Sequence, residues 1–312
     1  MDIQSLNRIK EKIKTIGDLP TLPRVALEVA TLVKNPNSSM TDISELIQND
    51  PSLSAKILKI ANSAFYGMSR RIDALQHALV ILGMKEINNL IVGISVFNAF
   101  PKIPGKATFD REAFWEHSVA CGLIARILAT RIEYNTEGTE FVAGLLHDIG
   151  KIVLDQHFHK EFVEIVDLAS RERLSMIEAE NRILGVSHTD VGNWLAEEWK
   201  LPHNLTQTIS WHHYPHMAQQ HHGLVALVHL GDLLCKKKKI GFGGDTHGFS
   251  LTDSDAWKIL EAEKPELNKL DMEKFSLELD DELEKVEEFI SISQGTDIAA
   301  PLEITVTVTE EN

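Results

Sequence analysis

Ala143-Gly144-Leu145-Leu146-His147-Asp148-Ile149-Gly150-Lys151 sets a histidine and an aspartate, side by side, into an apolar run. A carboxylate in such surroundings is costly to desolvate unless a cation or a metal ion pairs with it. The pattern predicts a helix over 139–149. Neighbouring residues on a helix diverge by about 100°, so His147 and Asp148 can grip one ion and reach toward a second.

Helical periodicity continues outward on both sides. Downstream and upstream candidates lie at 111–132, 159–171, 175–184, 188–199, 203–213 and 223–236. Earlier ones cover 22–34, 42–48, 51–61, 74–83 and 85–97. Thr41 reads as an N-cap, and Asp50-Pro51 as a cap followed by proline at the first helical position. Strand-like alternation is scarce before Ile304-Thr305-Val306-Thr307-Val308. The expected fold is therefore all-α and two-lobed, with an N-terminal helical bundle and a C-terminal helical domain. Pro101, Pro104 and Gly105 place the boundary, giving units at 1–105, 106–240 and 241–312. Gly241-Phe242-Gly243-Gly244 reads as a loop. In the last unit Met272, Phe275, Leu279, Leu283, Val286 and Ile290 share one helical face with acids opposite, a stripe that docks on its own chain or on a partner.

Charge narrows the partners. The net charge is −15, but residues 250–312 hold 18 acidic and 5 basic side chains, leaving about −2 for the rest. No basic face stands out beyond Lys236-Lys237-Lys238-Lys239, which reads either as a solvated helix end or as a phosphate-attracting run. Nucleic acid is not an expected partner. No apolar run reaches the length of a membrane span, and Met1-Asp2-Ile3-Gln4 opens no secretory signal, so a cytoplasmic protein is expected. Cys121 and Cys235 sit in apolar helical stretches and read as buried thiols.

Fourteen histidines are many for 312 residues. His157, His159, His203, His216, His221, His222 and His247 lie in polar or loop-like contexts and read as ordinary surface or core histidines. His117, His147, His188 and the pair His212-His213 instead fall on or beside apolar helices, as do Asp148 and Asp232. Five histidines and two aspartates in one domain are hard to explain as core packing. Imidazole and carboxylate together suit transition metals, and a carboxylate can bridge two of them.

The order His117, His147-Asp148, His188, His212-His213, Asp232 resembles the HD superfamily of metal-dependent phosphohydrolases. Upstream, Leu19-Pro20-Thr21-Leu22-Pro23, Asn49-Asp50-Pro51-Ser52-Leu53-Ser54, Ile60-Ala61-Asn62-Ser63 and Ala78-Leu79-Val80-Ile81-Leu82-Gly83 resemble the HDOD family, the HD-related output domain of bacterial signalling proteins. The similarity spans about residues 15–235. Many members of that family have lost the His-Asp dipeptide; this chain keeps it. The Gly-Tyr-Pro signature of the cyclic di-GMP phosphodiesterase branch is missing, since Tyr214-Pro215 follows His212-His213 directly. Ala113 stands where some relatives carry a glutamate for a third ion.

The resemblance implies an HD-type second lobe holding two divalent metal ions. Asp148 would bridge them, with His117, His147 and Asp232 on one ion and His188, His212 and His213 on the other. Water activated between the ions would attack a phosphoester, and Lys151 would hold a phosphate oxygen. Read without the resemblance, Lys151 is a helix-end lysine facing solvent. A histidine-rich site of more than four ligands with no cysteine at ligand spacing favours iron first and manganese second over structural zinc. Two functions remain open: a metal-dependent phosphohydrolase or phosphodiesterase on a nucleotide-like ligand, and a signalling output module that acts through a protein partner, its metal structural or sensory.

Overall fold

The computed structural model describes residues 22–64, 66–100, 109–244 and 251–294, and among these there is no strand. Among the described residues five helices form the first lobe: α1 (Arg24–Lys34), α2 (Met40–Gln48), α3 (Pro51–Ala61), α4 (Leu75–Leu82) and α5 (Met84–Ala99). The cap of α2 is Ser39 and not Thr41. The Ser39 hydroxyl accepts from Asp42 N at 3.1 Å and the Asp42 carboxylate accepts from Ser39 N at 2.8 Å, a reciprocal pair that Thr41 is too far into the helix to make. Asp50 caps α3 as expected, with Leu53 N donating to it at 3.0 Å. Gly83, at φ +86°, lets α4 and α5 meet at 114°. No single helix of the described residues is long and apolar enough to cross a membrane.

The second lobe comprises α6 (Arg111–Arg131), α7 (Glu140–Leu146), α8 (Ile149–His157), α9 (His159–Glu172), α10 (Met176–Ile183), α11 (His188–Glu198), α12 (His203–Trp211), α13 (His222–Lys238) and α14 (Asp255–Glu263). The helix expected over 139–149 stops at Leu146, and α8, absent from the sequence reading, begins at Ile149. The chain bends there because α8 lies directly against α11. A Cβ on Gly150 would stand 1.9 Å from the His188 carbonyl oxygen and 2.8 Å from Gly192 N, so the two backbones touch. α6 packs against both α7 and α13, with Gly122 and Gly144 in backbone contact where α6 and α7 cross.

The C-terminal stripe folds as α15 (Met272–Gln294), which packs on α3, α5 and α6 and so ties the lobes together. Phe275, Leu279, Val286, Phe289 and Ile290 are buried. Phe289 sits 4.9 Å from the Phe141 ring and 6.3 Å from the Phe97 ring, one from each lobe. Burying a phenylalanine side chain stabilises by roughly 2–3 kcal/mol. The stretch 304–308 lies outside the described residues.

Candidate metal centre

His117 rides on α6, whose first turn is fixed by Asp110 accepting from Glu112 N and Ala113 N, each at 3.0 Å. His147 and Asp148 occupy the bend between α7 and α8. His188 opens α11 behind a Ser187–Asp190 capping box. His212 and His213 follow the end of α12, and Asp232 lies within α13. The structure brings all seven of these side chains to one place. His117, His147, His188 and His212 are fully buried, Asp148 and Asp232 are 1% exposed, and His213 is part-buried.

Asp148 stands at the middle. Its Oδ1 lies 3.1 Å from His188 Nε2 and 3.5 Å from His212 Nε2. Its Oδ2 lies 3.2 Å from His147 Nε2 and 3.9 Å from His117 Nε2. Each oxygen thus faces a separate group of imidazoles. Asp232 Oδ1 closes the second group, 3.1 Å from His117 Nε2 and 3.9 Å from His147 Nε2. His213 Nε2 closes the first, 3.1 Å from His188 Nε2.

Hydrogen bonding fixes which ring nitrogen faces inward. Nδ1 of His147 meets Gly144 O at 2.6 Å, and Nδ1 of His212 meets Ile209 O at 3.1 Å. Nδ1 of His188 meets Glu180 at 2.8 Å, and Nδ1 of His117 reaches Ile240 O at 3.4 Å. A carbonyl or carboxylate there demands the proton on Nδ1, leaving the Nε2 lone pair turned into the centre. Nε2 of His117, His147 and His212, with Oδ1 of Asp148 and of Asp232, is buried without a hydrogen-bond partner in the chain. Five orphaned acceptors facing one another are costly, and a cation among them removes the cost. The donor set of imidazole nitrogens and a shared carboxylate fits a pair of transition-metal ions.

The electrostatics divide the five rings. Burial pushes His212 down to about 3, His117 below its ordinary value and His213 well below it, so these rings stay neutral as ligation requires. Burial opposes charge on His188 too, but the Glu180 carboxylate outweighs it and raises that ring to about 9. At His147 burial is likewise outweighed, here by Asp148, and its pKa rises. Burial alone would raise both carboxylates. His147 and Lys151 hold Asp148, and Lys236 and His117 hold Asp232, well below the usual range.

Lys151 does not face solvent. It is fully buried, with Nζ 2.5 Å from Asp148 Oδ2 and 2.9 Å from Gly243 O. Lys236 is no solvated helix end either: it is 5% exposed and its Nζ stands 2.9 Å from Asp232 Oδ2. The Gly241–Gly244 loop lies directly over both. Phe242 N donates to Ala113 O at 2.8 Å, and a Cβ on Gly243 would stand 2.8 Å from His117 Cε1 and 2.9 Å from Lys236 Cγ.

Sequence reasoning missed Glu180, Lys236 as a paired group, and the approach of this loop. Phase was the available signal. Glu180 falls four residues after Met176 and one after Ala179, on the buried face of α10, and Lys236 falls one turn after Asp232. His229 was also passed over; its Nδ1 meets His212 O at 2.6 Å and anchors the end of α12 to α13.

Comparison with known proteins agrees with this architecture. An HDOD domain protein with unknown function from Geobacter sulfurreducens superposes with a TM-score of 0.76 at 26% identity, covering 92% of this chain and 97% of its own. A proposed phosphohydrolase from Shewanella amazonensis SB2B gives 0.68 at 23% identity, covering 93% and 98%, and shares the fold. An uncharacterized protein of Treponema pallidum (strain Nichols) is 26% identical over 215 residues, 68% of this chain and 41% of that one. Bacillus subtilis (strain 168) YuxH is 27% identical over 124 residues, 40% of this chain and 28% of its own. The chain thus spans well under half the length of either sequence relative. The HDOD domain model matches residues 19–215, more than half of the sequence, and the chain belongs to the HDOD domain family.

Proposed function

We propose that the protein is an HDOD signalling protein with a dinuclear divalent-metal centre and metal-dependent phosphohydrolase activity. The observation that carries this reading is Asp148, whose two oxygens face two separate sets of inward-turned imidazole nitrogens. His117, His147 and Asp232 would hold one ion and His188, His212 and His213 the other, with iron favoured and manganese second. Bound ions there would draw charge from a phosphoryl oxygen and lower the pKa of an attacking water. The chain's own part is to keep His117, His212 and His213 neutral, fix the ring orientations through backbone carbonyls and Glu180, and shelter the reacting atoms from bulk solvent.

Protein purified without oxygen should carry two iron or manganese ions per chain, and Asp148→Asn should lose both while remaining helical. Hydrolysis assays on phosphomonoesters, generic phosphodiesters and cyclic dinucleotides then test the activity. Less than one ion per chain would end the dinuclear reading. A second reading has an observation of its own, the near-complete burial of the ligands. An enclosed centre suits a structural or sensory ion in an output module that works by contact with a protein partner, and two bound ions with no turnover of any phosphoester would favour it.

A further inference from the structure

Lys151 and Lys236 pose a problem of charge that bears on the ligand, granted the dinuclear centre proposed above. As the side chains stand, two ammonium groups lie against two carboxylates, Lys151 on Asp148 at 2.5 Å and Lys236 on Asp232 at 2.9 Å. Those pairs balance. Two divalent ions on the same carboxylates add four positive charges, and the other buried carboxylate in contact, Glu180, is committed to His188. With neutral histidines the loaded cluster carries about +3.

Neither lysine can retreat from that charge. Lys151 is fully buried and Lys236 5% exposed, and the Gly241–Gly244 loop closes over both. Gly243 O already accepts from Lys151 Nζ at 2.9 Å, while a Cβ on that glycine would meet Lys236 Cγ at 2.9 Å and Cε at 3.0 Å. Two ammonium groups held next to divalent ions need an anion among them, because buried charge left uncompensated is strongly destabilising.

We infer that Lys236, together with Lys151, forms the anion-holding edge of the loaded centre, and that the anion it selects is a doubly charged phosphate, free or as a monoester, over a singly charged phosphodiester. A dianion offsets most of the excess charge and a monoanion a smaller share. Ammonium groups suit this task as compact point charges that take phosphate oxygens without demanding one geometry. Lys236 is a binding residue in this account, and its pairing with Asp232 is the arrangement it keeps until ions and anion arrive.

The test is titration calorimetry of the full chain with manganese alone, then with inorganic phosphate, methyl phosphate or dimethyl phosphate added at about pH 8. By linkage, an anion that binds the loaded centre must tighten manganese by the same factor. Phosphate and methyl phosphate should each tighten manganese about tenfold or more, and dimethyl phosphate much less. Lys236→Gln should abolish that tightening while binding manganese alone as well as the native chain or better, since a repelling charge is gone. Lys236→Arg should keep the tightening. If Lys236 merely orients Asp232, the glutamine variant will bind manganese more weakly and respond to phosphate unchanged, which overturns the inference. Equal effects of methyl and dimethyl phosphate overturn the charge selection, and phosphate binding without methyl phosphate binding overturns the monoester assignment. Manganese binding indifferent to every anion removes the anion site and leaves the dinuclear reading standing; no manganese binding removes both.

Discussion

His212 and His188 lie against the same oxygen of Asp148 yet shift in opposite directions. Burial holds His212 at about 3, so between that value and the ordinary 6.5 the unfolded chain binds a proton that the folded one refuses. Its contribution to stability is present above pH 6.5 and is lost as pH falls toward 3. Glu180 holds His188 at about 9 against the effect of burial, so between 6.5 and 9 the folded chain keeps a proton that the unfolded one releases. That contribution is complete below 6.5 and is lost as pH rises through 9. Metal-free protein should therefore be most stable near pH 6.5, and Glu180→Gln should shrink the alkaline limb, to which the raised His147 also contributes, and leave the acid limb. Thermal melts in chelator from pH 4 to 9 check this; an alkaline limb undiminished in the variant would refute the role given to Glu180. The seven candidate ligands were legible because histidine and aspartate are out of place among leucines and isoleucines. Glu180 and Lys236 were not, because a glutamate in an acidic helix and the first lysine of four look like solvated residues until helical phase places them inward.

The bend at His147-Asp148 shows what an element's sequence cannot carry. The helix starts and stops were largely readable from caps and apolar spacing, as Asp50-Pro51 shows, but continuity through 139–149 was broken by a neighbour. Where α8 crosses α11, the Gly150 and His188 backbones are in contact, so α8 takes its place from its neighbour. The pattern holds no trace of this beyond Gly150 itself. Gly150→Ala places a methyl 1.9 Å from a carbonyl oxygen that has no side-chain freedom to yield. We expect a loss of about 2–3 kcal/mol in denaturant unfolding. Asp148 and His188 would be displaced together, so manganese affinity should fall at least tenfold even where the variant stays folded. Native affinity in a folded Gly150→Ala protein would show that the bend is not what sets the ligands.

At the scale of the whole molecule the candidate ligands all come from the second lobe, and α15 packs that lobe against the first. Lys56 of α3 donates to Ser293 O at 2.7 Å, Ala64 N donates to Glu288 at 2.9 Å, and Lys238 of α13 pairs with Asp280 at 2.7 Å. Asp280, Asp281 and Glu288 of the acidic segment are exposed on this helix, whose inner face holds Phe289 between Phe97 and Phe141. The sequence left open whether that stripe meets its own chain or another; α15 packs on α3, α5 and α6 of its own chain. A ligand that binds the folded state alone stabilises it in proportion to the logarithm of its excess, about 4 kcal/mol at a thousand times its dissociation constant. If α15 makes the lobes one cooperative unit, manganese must raise the melting of the first-lobe helices as well as the second, by about 5–10 °C in a single calorimetric transition. Phe289→Ala opens a cavity between Phe97 and Phe141 and should split that transition, leaving a lower-melting component that manganese does not move. Two transitions in the native chain, with metal shifting one, would mean that α15 touches the first lobe without coupling it to the centre.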